Sequence, residues 1–300
     1  MEKYLFIAGM PKCGTTSLAT WLVENDIAEY LIPGMKEPNL YSRSDFGKFP
    51  FPYGNGSKKW RLDASNSYGL NRYAVNNMPE HFTRIIVCIK NHWERTWSNY
   101  KMFKLMAQNN KEWGEIARND FPMGEGASWL ELENFSETFF KSNTSNIIAQ
   151  YHNLEKQRLL KSNFQGRINY ELNFYFSRGI FPFYSSLWGS RYSLTLRNLI
   201  EKYSPSNIHF VDISLLNDTE KRDRFTKNVL QSNCKTSPIT EKLVGKNIKF
   251  NEEKPDFSSP DLNFLKSFFR HDLEDFERQI KKFGLTTDFI DFDYLRKNIT

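Results

Sequence analysis

The sequence predicts an α/β protein whose central parallel sheet is flanked by helices, and three observations support this prediction. Two compact apolar runs, KYLFIAG (Lys3–Gly9) and RIIVCIK (Arg84–Lys90), have the form of buried parallel strands. Each run is followed by a polar turn and then by apolar residues at helical spacing. Strands that alternate with helices in this way are typical of a doubly wound parallel sheet.

The remaining elements follow from the same patterns, taken in chain order. After the first strand we expect, in turn, a helix over Thr16–Asn25, a short strand over Ala28–Gly34, a loop over Lys36–Lys59, a weak strand over Trp60–Ser65 and a helix over Asn71–Asn77. After the second apolar run we expect helices over Trp93–Ala107, Tyr192–Tyr203, Glu220–Leu230 and Leu262–Phe283, and a strand over Ile208–Ile213. Gly284 is a plausible C-cap of the last helix.

The middle of the chain carries weaker signals. Asn109–Leu160 is polar and helical in pattern, and Phe174–Trp188 is crowded with aromatic residues, which suggests a lid or the wall of a cleft. No internal repeat and no low-complexity linker divides the sequence. We therefore expect one domain over residues 1–300, with a helical insertion at about 109–188 between core motifs in 4–105 and 190–284.

Composition and charge narrow the class of protein. The chain of 300 residues is 39% hydrophobic and 25% charged, as folded globular proteins are, and its 26 Phe residues predict a Phe-rich core. The net charge of +6 comes from scattered basic residues, so it favours an anionic ligand over a nucleic-acid surface. Nothing in the sequence indicates the oligomeric state.

The cysteines and the apolar segments predict the compartment. Cys13, Cys88 and Cys234 lie far apart and form no C-x-x-C pair, which indicates a reducing environment without a structural zinc. The N-terminal apolar run is too short for a secretory signal, and no stretch approaches the ~18 apolar residues of a membrane-spanning helix. We therefore expect a cytoplasmic protein without a transmembrane segment.

The stretch FIAGMPKCGTTSLATWL (Phe6–Leu22) places a glycine-containing loop between the first strand and its helix. Gly9 and Gly14 have the spacing of the G-x-x-x-x-G-K-[ST] loop that binds nucleoside triphosphates, but Lys12 lies inside the loop. Backbone N–H groups and the helix dipole make such a loop an anion site wherever its lysine lies. Asp63 and Asp212 are the only candidates for a magnesium-binding strand end, and neither has a convincing context.

The string PKCGTTSL closely resembles the PKxGTTSL loop of sulfotransferases that use 3′-phosphoadenosine-5′-phosphosulfate. The resemblance implies a P-loop-like three-layer fold, a sulfuryl donor as the bound nucleotide and no required metal. It implies that Lys12 contacts the 5′-phosphate and the bridging oxygen, while loop hydroxyls bind the phosphate. The loop residues expected to contact the donor are Lys12, Cys13, Gly14, Thr15, Thr16 and Ser17. We interpret Cys13 as a small residue that only fills the position between Lys12 and Gly14.

A second motif, IKNHWERTWSNY (Ile89–Tyr100), follows the strongest strand. It is similar to the 3′-phosphate signature of the same family, L-R-N-P-x-E-R-x-x-S-x-Y, with Lys90 in place of Arg and His92 in place of Pro. The resemblance implies that Lys90 and Ser98 bind the 3′-phosphate, the group that ATP lacks. Lysine keeps the charge of arginine but loses its two-pronged geometry, so looser binding is expected. Without the resemblance, Glu94 and Arg95 would be interpreted as a solvated helix face.

Two shorter segments resemble the carbohydrate and heparan-sulfate branch of the family. MKEPNLYS (Met35–Ser42) is similar to its K-E-P-x-x-F segment, and LDASNSY (Leu62–Tyr68) to its E-x-S-P-x-Y segment. GKNIKFNEEK (Gly245–Lys254) is also similar in pattern, though much less specific. These resemblances imply a carbohydrate or glycoconjugate acceptor, with Lys36 and Asp63 near it.

Sulfuryl transfer is an in-line displacement, and charge builds on the leaving 5′-phosphate. Lys12 is the candidate for stabilising that charge, and losing one such donor commonly costs a few hundredfold in rate. The attacking hydroxyl or amine must also lose a proton, which requires a base. Glu37 is the leading candidate, His92 is the rival, and Asp63 is third or else orients Lys12 or Lys36.

The sequence leaves several functions open. The favoured hypothesis is a sulfotransferase acting on a carbohydrate or glycoconjugate, bacterial or viral rather than from an animal Golgi. A small natural-product alcohol or amine is the nearest alternative acceptor. Two further hypotheses are a P-loop kinase, which would need ATP and magnesium, and an anion- or polysaccharide-binding protein with a decayed nucleotide site.

Overall fold

The structure, a computed structural model, describes residues 2–42, 59–108, 145–179, 181–233, 236–239 and 250–299. Its strands are β1 (Lys3–Gly9), β2 (Ala28–Tyr30), β3 (Trp60–Asp63), β4 (Thr83–Cys88) and β5 (Ile208–Val211). Within these ranges its α-helices are α1 (Thr15–Glu24), α2 (Arg72–Asn77), α3 (His92–Gln108), α4 (Ser145–Lys161), α5 (Phe164–Arg178), α6 (Tyr192–Ile200), α7 (Thr219–Asn228), α8 (Asn263–Phe283) and α9 (Phe292–Arg296).

The five strands form one sheet in the order β2-β3-β1-β4-β5, and every neighbouring pair is parallel. β1 is therefore central, with two strands on each side. Its residues from Leu5 to Gly9 and the last four residues of β4 are buried, as expected of strands covered on both faces. The predicted α/β fold with a parallel sheet flanked by helices is confirmed.

Several elements are shorter than their patterns suggested. The strand expected over Ala28–Gly34 ends at Tyr30, because Ile32 pairs with Met35 in a tight turn where Gly34 takes a φ of 77°. The strand expected over Trp60–Ser65 ends at Asp63. The helix after it begins as expected, since the Asn71 side chain caps it by accepting from the Ala74 N–H at 3.1 Å.

The aromatic segment is part of the core. Phe174–Arg178 was expected to be irregular but is the last turn of α5, which ends at Gly179 in the left-handed conformation. Beyond it, Phe181, Phe183 and Trp188 are buried. Burial of this much aromatic surface favours a fixed wall over a mobile lid. Of the segment expected to be helical before it, residues 109–144 lie outside the described ranges.

The long helix predicted near the C-terminus is confirmed. α8 runs over Asn263–Phe283 and ends at Gly284, which has a φ of 66°, as expected of a glycine C-cap. Its apolar face packs toward the core through Leu265, Phe269, Leu273, Phe276 and Ile280. Among the described residues, no helix combines the length and apolar character needed to cross a membrane.

Candidate functional site

The residues predicted from the motifs follow the carboxyl ends of three adjacent strands. Lys12 follows β1, Asp63 ends β3 and Lys90 follows β4, with β1 between the other two. Lys36 is brought to the same edge, since the Ala64 N–H donates to its carbonyl at 3.0 Å. Parallel α/β sheets bind ligands outside the carboxyl ends of their strands, so this edge is the candidate site.

The loop after β1 is a tight turn. The Met10 N–H donates to the Cys88 carbonyl at 2.8 Å, and the Cys13 N–H donates to the Met10 carbonyl at 3.1 Å. Lys12 and Gly14 both take left-handed conformations, with φ values of 69° and 84°. The turn directs the chain into α1.

The first turn of α1 offers its backbone to an anion. Gly14 is the N-cap residue and has no side chain that could accept a hydrogen bond. The N–H groups of the first turn of α1 therefore have no capping side chain at that position. Thr15 and Ser17 are buried against the protein, and Thr16 is half-buried. The arrangement matches the positive end of a helix dipole placed at the central strand.

Two lysines converge at this loop. The pKa of Lys12 is lowered, first by partial burial and next by repulsion from Lys90, with a smaller contribution from Lys101. The two motifs meet in space although 77 residues separate Lys12 from Lys90 in the sequence, since the Met10 N–H bonds to the Cys88 carbonyl just before Lys90. A bound anion between the two ammonium groups would relieve that repulsion.

The second motif is anchored by two of its own side chains. Asn91 caps α3 by accepting from the Trp93 N–H at 3.0 Å, and its amide group donates to main-chain carbonyls near α9. Arg95 is fully buried rather than part of a solvated face. Its guanidinium donates to Ser190 Oγ at 2.7 Å and to the Pro11 carbonyl at 3.3 Å, which ties α3 to the loop that carries Lys12.

Ser98 lies on the half-buried face of α3. Glu94, Ser98 and Lys101 follow one another at helical spacing and share this degree of exposure. The same helix is tied to the loop by the bond from Arg95 to the Pro11 carbonyl. Glu94 pairs with Lys254, so the described end of the Gly245–Lys254 segment, residues 250–254, lies against α3 as well; its first five residues lie outside the described ranges.

The segments Met35–Ser42 and Leu62–Tyr68 meet beside the start of the loop after β1. Glu37 pairs with Lys36, and the Asn66 side-chain amide lies 3.4 Å from the same Glu37 oxygen. A Cβ placed on Gly9 would lie 3.6 Å from the Asn66 carbonyl. Lys36 and Glu37 have side-chain exposures of 21% and 26%, so both remain accessible to an acceptor.

Asp63 lies beneath this group and is fully buried. It accepts hydrogen bonds from Ser65 Oγ at 2.6 Å and from the Tyr68 hydroxyl at 2.9 Å. Burial raises its pKa to about 7 despite these bonds. Ser65 Oγ also accepts from the Asn39 N–H at 2.9 Å, so Asp63 supports the backbone that follows Glu37. Its hydrogen bonds go to these groups, not to Lys12 or Lys36.

His92 points away from the site. Its side chain is fully buried, and Nε2 lies 3.1 Å from Asp272 Oδ2. Its ring packs on Tyr192 and Phe269, with centroids 4.4 and 5.3 Å away. A side chain without accessible surface cannot contact an acceptor directly, and Glu37 stays our predicted base.

Sequence reasoning missed Tyr192. Its hydroxyl lies between the two nucleotide motifs, 3.9 Å from Cys13 Sγ and 3.1 Å from the Lys90 amide nitrogen. The Tyr192–Tyr203 segment was interpreted only as an amphipathic helix, and no local signal marks its first residue as part of the site. Cys13 is thus more than a filler, because its thiol faces this hydroxyl.

The described residues contain no group of three or more His, Cys, Asp or Glu side chains placed to hold a metal ion. Cys13 and Cys88 are free thiols, and burial raises the pKa of Cys13 to about 11. Cys234 lies outside the described residues.

One of the comparisons with known proteins bears on the fold. No protein-family model matches the sequence, and no curated protein matches it. Among solved structures, a sulfotransferase from Alicyclobacillus acidocaldarius is similar over 94% of this chain and 96% of its own length, with a TM-score of 0.52 and 14% sequence identity. At that identity the likeness establishes the shared α/β architecture.

Proposed function

We propose that this protein transfers a sulfuryl group from 3′-phosphoadenosine-5′-phosphosulfate to a hydroxyl or amine. The observation that carries the proposal is the contact between the Lys12 loop after β1 and the Lys90 segment after β4, through the bonds of Met10 to Cys88 and of Arg95 to Pro11. Each lysine belongs to a motif that resembles one phosphate-binding segment of the sulfotransferases. The likeness of the fold to a solved sulfotransferase supports the same conclusion.

The two phosphate groups of the donor would be held by different strand ends. The first amides of α1 and the hydroxyls of Thr15, Thr16 and Ser17 would bind the 5′-phosphate, with Lys12 at the bridging oxygen. Lys90 and Ser98 would bind the 3′-phosphate. This division would place one lysine at each phosphate group.

The donor supplies an activated sulfuryl group, and the protein supplies the base and the charge stabilisation. Glu37 would accept the proton of the acceptor O–H or N–H as that atom forms its bond to sulfur. The bond from sulfur to the 5′-phosphate oxygen breaks, and Lys12 would stabilise the charge left on that oxygen. Adenosine 3′,5′-bisphosphate is the second product.

A carbohydrate or glycoconjugate is our proposed acceptor class, on the strength of the Lys36–Glu37 segment. Lys36 lies beside the base and would contact the acceptor or the sulfuryl oxygens. Asp63 lies below them and would position this segment through Ser65 rather than contact the acceptor. A small alcohol or amine remains the alternative acceptor.

Ligand-induced stabilisation tests the donor. Adenosine 3′,5′-bisphosphate, with a chelator in place of magnesium, is expected to raise the unfolding temperature strongly, since a ligand at ~100 times its Kd adds about 2.7 kcal/mol of stability. ATP with magnesium is expected to add little. Equal stabilisation by ATP-magnesium would contradict the proposal and favour a kinase.

Transfer itself is tested with labelled donor and a panel of glycans and small alcohols. Lys12→Met is expected to lower the transfer rate by about a hundredfold or more while the protein keeps its fold, because methionine retains an unbranched side chain of similar length without the charge. Lys227→Met, on the surface of α7, is the matched control. Glu37→Gln with a near-normal rate on the true acceptor would refute the assignment of the base.

A further inference from the structure

We propose that Tyr192 is a positioning residue that sets the distance between the two phosphate-binding segments, so that the protein prefers a nucleotide carrying both phosphates. This inference rests on the proposed function and adds a residue to it. The observation is a single buried hydroxyl that contacts both segments: the loop after β1 through Cys13 and the chain after β4 through Lys90.

The hydroxyl uses its full hydrogen-bonding capacity. It donates its one proton to the Lys90 carbonyl and accepts from the Lys90 N–H at 3.1 Å. Its remaining lone pair faces Cys13 Sγ at 3.9 Å, so the thiol is the donor in that contact. Burial raises the pKa of Cys13 to about 11, which keeps the thiol protonated for this role.

Lys90 depends on this hydroxyl because the sheet ends just before it. The last ladder bond at this edge runs from the Ile89 N–H to the Val211 carbonyl at 2.9 Å. Both main-chain polar groups of the next residue, Lys90, then bond to Tyr192. The tyrosine therefore fixes the point at which the Lys90 side chain leaves the backbone.

Tyr192 itself is held from two further helices. Its N–H donates to Asp272 Oδ2 at 2.9 Å, on α8, and its ring packs on His92, on α3, and on Phe276. The side chain is fully buried. A rigid residue bonded to both segments holds their separation constant. A constant separation affects the binding only of a ligand that contacts both segments.

The test compares adenosine 3′,5′-bisphosphate with 5′-AMP, which lacks the 3′-phosphate. The measured quantity is the ratio of their dissociation constants, determined by calorimetry at one ionic strength. Tyr192→Phe removes only the hydroxyl and is expected to lower the preference for the bisphosphate by about tenfold, the loss of roughly one or two hydrogen bonds. The affinity for 5′-AMP is expected to change much less.

Tyr203→Phe is the matched control. Tyr203 is also buried, and its hydroxyl also donates to main-chain carbonyls, at Met78 and Pro79, but these lie away from both motifs. Its loss is expected to lower stability and leave the ligand preference unchanged. Cys13→Ala removes only the contact with the loop and is expected to lower the preference by about threefold, which keeps the inference testable if Tyr192→Phe fails to fold.

The outcomes separate the inference from the proposed function. If the wild-type protein does not prefer the bisphosphate over 5′-AMP, the proposed function fails and the inference fails with it. If the wild type shows the preference but Tyr192→Phe or a folded Cys13→Ala keeps it in full, the inference alone is overturned. A parallel loss of affinity for both ligands would also overturn it, because that result indicates a merely structural role.

Discussion

At the scale of single residues, the loop after β1 depends on the absence of a side chain at Gly14. Its φ of 84° is a conformation that L-residues adopt at a cost, and α1 begins directly after it. A Cβ at this position would lie 2.0 Å from Ile213 Cδ1, at the turn that follows β5. The glycine is thus required both by the backbone and by close packing.

Gly14→Ala is therefore expected to lower the free energy of unfolding by about 2–4 kcal/mol, the sum of left-handed strain and overpacking. Gly284→Ala is the control for strain alone, since its φ is 66° and a Cβ there would have no atom within 4 Å. Urea denaturation measures both. In an Ile213→Ala background, Gly14→Ala is expected to cost no more than Gly284→Ala; a persistent excess would contradict the steric explanation.

Asp63 makes stability depend on pH. Its folded pKa is raised to about 7 from 3.8 by burial, so the folded state binds the proton more tightly than the unfolded chain does. Its contribution to stability is therefore present at low pH and is lost as pH rises from about 4 to about 7. At neutral pH the folded protein bears the full cost of the buried charge.

The asparagine of Asp63→Asn does not titrate. The unfolding free energy of the variant is therefore expected to rise relative to that of the wild type by about 2 kcal/mol or more between about pH 5 and about pH 8. The measurement is the difference in unfolding free energy between the two proteins across this range, in which all other titrating groups cancel. A difference that is flat with pH would show that Asp63 is ionised throughout. Ser65→Ala serves as a control for the loss of a hydrogen bond near the same carboxylate.

At the scale of elements, a buried ionic cluster joins α4, α5 and the buried segment that follows α5. The side chains of Arg167, Glu155 and Glu171 have no exposed surface, and Arg167 bonds to Glu171 at 2.8 Å and to Glu155 at 3.1 Å. Glu171 also accepts from Ser185 Oγ at 2.8 Å and from the Leu187 N–H at 3.0 Å. The cluster therefore holds the segment whose Ser190 binds Arg95, and Arg95 in turn binds the Lys12 loop.

Removing Glu171 takes one of its two carboxylate partners from the buried Arg167 and leaves the Ser185 hydroxyl and the Leu187 N–H without this acceptor. Glu171→Ala is expected to destabilise the protein by about 3–5 kcal/mol. Arg278→Ala, which breaks an exposed pair with Asp275, is expected to cost less than about 1 kcal/mol. Equal effects of the two variants in urea denaturation would show that the buried cluster contributes nothing beyond a surface pair.

Sequence patterns predicted the elements well where their cause is local. β1 has the predicted bounds and α8 differs by one residue, because an apolar run between polar turns and a long amphipathic repeat are complete within themselves. The predictions were wrong where distant packing decides. Phe174–Arg178 belongs to a helix, and the aromatic residues after it are buried by elements that lie far away in the sequence.

At the scale of the whole molecule, the C-terminal helices are bound into the same body as the sheet. Asp272 on α8 bonds to His92 on α3 and to the start of α6, and Asn91 donates to carbonyls beside α9. These bonds join residues that lie 80 to 203 positions apart. They support our proposal that residues 1–300 form one domain.

One domain is expected to unfold in one cooperative transition. Far-ultraviolet circular dichroism and tryptophan fluorescence should report the same midpoint, and saturating adenosine 3′,5′-bisphosphate should shift both by the same amount. Two separate transitions, or a shift seen by only one probe, would show that the C-terminal part folds apart from the nucleotide site. ATP with a chelator is the control ligand.

The sequence alone determined the α/β fold class and the place of the loop after β1, because each depends on neighbouring residues. The tertiary structure decided the environment of each side chain. It buried His92 against Asp272, placed Arg95 under the loop and brought Tyr192 between Cys13 and Lys90. These contacts join residues that lie 84 to 180 positions apart. No local pattern records such contacts, since only the packing of strands and helices brings those residues together.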